Sequence, residues 1–74
     1  MQAADIDIIA KASPAENRKK TVHELAEEIQ ILSSAISDLA GGGIIDTLKG
    51  SGKVGVYSTA IFYKSLRIQE KTSS

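Results

Sequence analysis

Six apolar residues, Val22, Leu25, Ile29, Leu32, Ile36 and Leu39, follow one another at spacings of 3, 4, 3, 4 and 3. Residues three and four apart share one face of an α-helix, so this spacing is the seam of a helix that needs a helical partner. The ends of the helix are marked as well. Ser13 is a capping residue, and Glu16 three positions later completes a capping box. Pro14 suits the first helical position. Gly41, Gly42 and Gly43 can take the left-handed conformation that closes a helix. Together these signals predict one helix over 14–40, about 40 Å long at a rise of 1.5 Å per residue.

A long amphipathic helix in a small chain points to an all-α fold. Ala26, Ile31 and Ala35 broaden the stripe beyond a narrow seam, which favours a bundle over a two-stranded coiled coil. The chain has 74 residues and no cysteine, so neither a disulfide nor a cysteine-based zinc site can staple it. A core of this size supplies no more than about 3–5 kcal/mol. We therefore expect a homo-oligomer, a dimer or higher, with Val22, Leu25, Ile29, Leu32, Ile36 and Leu39 at its interface.

The rest of the chain reads as attachments to that helix. Ile6, Ile9 and Ala10 give one side of a short helix over 3–11, and Pro14 breaks it by disfavouring helix at Ser13. Residues 41–53 form a glycine-rich connection in which Ile44, Ile45 and Leu48 make one amphipathic turn, either a lid over the core or a docking site. In 54–70, Val54, Tyr57, Ile61, Lys64 and Ile68 repeat the 3, 4 spacing, with Phe62 and Leu66 beside it. This predicts a second helix, though the β-branched and aromatic content also suits a strand. If the chain reverses as an antiparallel hairpin, Arg67 and Lys71 come alongside Glu24, Glu27 and Glu28, and Lys53 lies near Asp38.

Chemistry is thin. His23 is the single histidine and the chain has no cysteine, so a Ser/His or Cys/His nucleophile system is not expected. His23 and Glu27 have the one-turn spacing of metal ligands, but two ligands do not make a site. GSGKV at 50–54 departs from a phosphate-binding loop, with Thr47 where a glycine is required and Val54 where Ser or Thr is. We expect no catalytic, metal or cofactor residue, and no enzyme. The amino terminus has Asp5 and Asp7 where a signal peptide is basic, and the apolar run Val54 to Tyr63 is interrupted by Gly55, Ser58 and Thr59. A cytoplasmic protein with no membrane segment is the expectation.

IQILSSAISDL (29–39), followed after a polar loop by FYKSLRI (62–68), resembles the two helices of small bacterial anti-repressors of the AbbA type. The resemblance covers about a quarter of the chain, at core-type positions. It implies a helical dimer that blocks the DNA-binding surface of a transcription regulator. The glycine-rich loop and the basic last helix depart from that pattern, because a DNA mimic shows an acidic face.

The functional expectation is a small non-enzymatic helical interaction or regulatory protein, in the manner of a phage or bacterial inhibitor or anti-repressor. It self-associates and binds another macromolecule, a protein whose identity the sequence does not carry. Candidate partner-binding residues are Ile44, Ile45, Leu48, Tyr63, Arg67, Arg18, Lys19 and Lys20. Two alternatives stand beside it. One is a nucleic-acid-binding module, using the basic cluster and the aromatics Tyr57, Phe62 and Tyr63 among Lys64, Arg67 and Lys71. Net charge is zero, which disfavours it. The other is a structural subunit of a larger assembly.

Overall fold

A computed structural model describes residues 3–41 and 47–73, with side chains over 5–39 and 52–73. The elements are α1 (Ala3–Ala10), α2 (Pro14–Lys19), α3 (Val22–Gly41) and α4 (Thr47–Thr72), with no strand among the described residues. α3 and α4 pack on each other as a helical hairpin, α1 rests on both, and α2 lies against α4. The strand alternative for 54–70 therefore falls, since the whole stretch lies inside α4.

The helix expected over 14–40 is broken. Ser13 does cap α2: its Oγ accepts from the Glu16 N–H at 3.2 Å, and Glu16 Oε1 accepts from the Ser13 N–H at 3.4 Å. But α2 stops at Lys19, and Lys20 turns out to an extended backbone at φ −85° and ψ 149°. The cause is a second capping box directly after it. Thr21 Oγ1 accepts from the Glu24 N–H at 3.1 Å, and Glu24 Oε1 accepts from the Thr21 N–H at 3.4 Å. Side-chain bonds to the backbone at Thr21 start a new helix in competition with continuation of the old one.

The connection is shorter than the 41–53 expected, because α4 already begins at Thr47. Ile44 and Ile45, and the side chain of Leu48, lie outside the described residues, and so does the choice between lid and docking site.

The core face of α3 is also rotated from the expected seam. Leu25 and Leu32 are fully buried, but the next buried residue is Ala35, while Val22, Ile29, Ile36 and Leu39 are half-buried. Leu25, Glu28, Leu32 and Ala35, at spacings of 3, 4 and 3, form the line that meets α4. Leu32 and Ala35 pack there with Tyr57 and Ala60, and Ile6, Ile9 and Ala10 of α1 close the cluster. Ala35 and Ala60 are small, which leaves room for the ring of Tyr57 between the helices. The buried phenol keeps its polar tip satisfied by donating to Asp7 Oδ1 of α1 at 2.8 Å.

Two substitutions test this packing. Leu32→Ala should lower unfolding free energy by about 2–5 kcal/mol, measured by urea denaturation, because it empties a sealed site. Gly55 is helical, and a Cβ there would meet nothing within 4 Å. Gly55→Ala should therefore raise stability by about 1 kcal/mol.

Candidate functional site

Lys64 is the largest fully buried side chain of the described structure, at 0% exposure. A bare ammonium in such a place is unaffordable, so its partners define the site. Its Nζ donates to Glu28 Oε1 and to Asn17 Oδ1, both at 2.8 Å. Glu28 also accepts from Lys20 Nζ, at 2.8 Å to Oε2 and 2.9 Å to Oε1. Asn17 is itself 5% exposed and sits in the middle of α2. Three helices and the extended residue between α2 and α3 thus converge on one polar cluster. The turn at Lys20 has a second effect here, since it brings that ammonium back to Glu28, eight residues on.

Burial pushes the Glu28 carboxyl up, but the hydrogen bonds and charges of Lys20 and Lys64 outweigh it and hold its pKa below the ordinary 4.5. For Tyr57, burial first and then the bond and charge of Asp7 push the phenol above its ordinary 10.0.

On the outer side of this cluster runs a cleft of about 560 Å³, between α4 and the segment that joins α1 to α2. Ile9, Ala10, Val56 and Ala60 form its apolar walls, and Asn17, Lys64 and Arg67 its polar end. Arg67 Nη1 donates to Glu70 Oε2 at 2.6 Å within α4.

The outward side of α4 carries a further apolar surface. Val56, Phe62, Tyr63 and Leu66 are exposed, Phe62 and Tyr63 by more than half, at 60% and 55%. The Phe62 and Tyr63 rings stand edge to face with centroids 5.7 Å apart.

The candidate residues named from sequence scatter across this map. Leu25 and Leu32 are sealed by α4 of the same chain, so they are unavailable to a second copy while the hairpin is closed. Lys20 is half-buried in the cluster and no member of a free basic patch. Arg18, Lys19 and Tyr63 are exposed, and Arg67 lines the cleft. The charge matching expected across the hairpin is displaced. Lys64, not Arg67, meets Glu28, and Lys71 donates to the Arg18 carbonyl at 3.1 Å. His23 Nε2 lies 2.8 Å from Glu27 Oε1 with both side chains exposed. Among the described residues no group of three metal-ligating side chains gathers, and no helix is long and apolar enough to cross a membrane.

The buried roles of Lys64, Glu28 and Asn17 were missed from sequence. A signal existed for Lys64, which stands in the 3, 4 line of the second helix at a position facing the partner. Asn17 had none, because its burial depends on where the elbow after α1 sets α2.

The chain matches no known protein family, no curated protein and no solved structure.

Removing one partner of the buried pair should cost more than removing both. Glu28→Leu strands the fully buried Lys64 ammonium without a counter-charge and should destabilise by roughly 3–5 kcal/mol, while a Glu28→Leu, Lys64→Met double variant should recover most of the loss. The pH dependence has a fixed sign. A carboxyl whose folded pKa is depressed contributes stability above its unfolded pKa and loses it as pH falls through the folded one. Thermal melts should therefore show the wild type losing stability below about pH 4.5 more steeply than Glu28→Gln.

Proposed function

We propose that this chain is a non-enzymatic helical interaction protein that self-associates and docks on another protein through the outward face of α4. One observation carries the reading. Val56, Thr59, Tyr63 and Leu66 repeat the 3, 4, 3 spacing beside the buried line Tyr57, Ala60 and Lys64, and all four stay exposed. Such spacing suits a helix as partner, and among the described residues no helix covers it, although Val56, Thr59 and Tyr63 also border the cleft. Gly52 and Gly55 adjoin it with open space where a Cβ would stand, which lets another backbone approach. The same stripe on a second copy is the simplest occupant, because a two-fold pairing needs one self-complementary surface. The seam proposed for self-association is thus on α4.

A nucleic-acid reading keeps one observation in its favour. The bond from Lys71 to the Arg18 carbonyl brings Lys71 beside the exposed Arg18 and Lys19. Binding to a labelled DNA duplex that falls steeply with salt would support it, and salt-insensitive docking on protein would not.

Sedimentation equilibrium over a wide concentration range tests self-association. The wild type should show a monomer–dimer equilibrium, and Phe62→Asp with Leu66→Asp should give a monomer with an unchanged far-ultraviolet helix signal. A wild type that stays monomeric at the highest concentrations removes the self-association reading.

A further inference from the structure

The polar cluster is not neutral. Lys20 and Lys64 face the single carboxylate of Glu28, which leaves the cluster one positive charge in excess, and of these three Lys64 lines the cleft. Arg67 is paired with Glu70, which occupies only one of the five N–H groups of its guanidinium and leaves the others as donors. Among the described residues no carboxylate lines the cleft itself.

Asn17 adds a neutral donor. Its Oδ1 is taken by Lys64, which leaves its amide N–H groups with no protein partner among the described residues. Yet no buried polar side-chain atom there lacks a partner, so this amide reaches open space, and the space it borders is the cleft. The polar end is therefore all donors. Walking back along α4 from Arg67 and Lys64 to Ala60, Val56 and Gly55, the lining turns apolar, and Ile9 and Ala10 face that part from α1. The cavity, at about 560 Å³, lies within the roughly 300–1,000 Å³ typical of small-molecule sites.

We propose that this cleft binds a small amphipathic carboxylate of the medium-chain fatty-acid class. The carboxylate accepts from Asn17 Nδ2 and the Arg67 guanidinium and offsets the excess charge of the lysine pair. The alkyl chain lies along Ile9, Ala10, Val56 and Ala60, where it is removed from water. Charge sets the polarity of the ligand: a cationic head would leave the donors unanswered, and a neutral hydroxyl would accept from them without offsetting the excess charge. This cleft shares Val56, Thr59 and Tyr63 with the stripe proposed for self-association, while Phe62 and Leu66 lie outside its lining.

The test is calorimetric titration of the full chain with dodecanoate below its micelle concentration, beside dodecanol and dodecyltrimethylammonium. We expect saturable binding of one dodecanoate per chain, with both controls weaker by roughly tenfold or more, the value of a charge-assisted hydrogen bond. Arg67→Gln should weaken dodecanoate by a similar factor without affecting dodecanol. Ala12→Trp should fill the cleft from its elbow and abolish binding with helix content kept. If that variant fails to fold, Arg67→Gln and the headgroup comparison decide. The Phe62→Asp, Leu66→Asp variant changes no residue of the cleft lining and should bind dodecanoate at least as tightly as the wild type, so this binding is read apart from self-association. Absence of saturable binding, equal affinity for the three headgroups, or dodecanoate binding unchanged by Arg67→Gln would each overturn the proposal.

Discussion

A lysine ammonium cut off from water has to find its compensation inside the protein, and the placement of the helices follows from that demand. Lys64 finds it in Glu28 of α3 and Asn17 of α2, both at 2.8 Å. Apolar contacts alone would let α3 and α4 slide by a turn at modest cost, since Leu, Ile and Ala faces are tolerant. An ion pair in low dielectric does not tolerate it, because a slipped register leaves two charges unpaired. Buried polar groups of this kind fix which of several packings is adopted more than they add to its depth. Asn17 extends the same restraint to a six-residue helix too short to hold itself in place.

Much of the architecture was legible in the residues themselves. The Ser13 box, Pro14 and the 3, 4 spacing are local signals, and the capping box, the helices and their antiparallel sense follow from them. What escaped is non-local or competitive. Thr21 and Glu24 form a box as plain as Ser13 and Glu16, but it lies inside a continuous apolar pattern, and periodicity hid it. The choice between Ile29 and Glu28 for the inner face is about one position of helix rotation. Hydrophobicity votes for Ile29, and the ammonium waiting on α4 decides for Glu28. The cleft was invisible because it exists only where the elbow after α1 stands off from α4.

The two faces of α4 divide its labour. Its inner line holds Tyr57, Ala60 and Lys64 with Ile61 packed beside them, and its outer surface carries exposed Val56, Phe62, Tyr63 and Leu66. An ordinary surface helix keeps its apolar stripe toward the core, whereas α4 has large apolar residues on both sides. That exposed surface is the ground on which we propose an interaction role.

The attachment of α1 and α2 has a consequence for how the molecule opens. Apart from Ile6, Ile9 and Ala10, this amino-terminal arm is fastened by polar points: Tyr57 to Asp7, Lys64 to Asn17 and Lys71 to the Arg18 carbonyl. All three donors lie on α4, spaced along it like buttons. The α3–α4 hairpin carries Leu25 and Leu32, which the arm does not supply. The arm is thus a distinct unit of local stability that can lift as one piece while the hairpin stays folded. Backbone amides of α1 and α2 should then exchange with solvent deuterium together and ahead of those around Leu32 and Ala60. Ionisation of Tyr57 would undo the first button, because the phenolate loses the proton that it gives to Asp7, and burial together with Asp7 pushes that step above the ordinary phenol range.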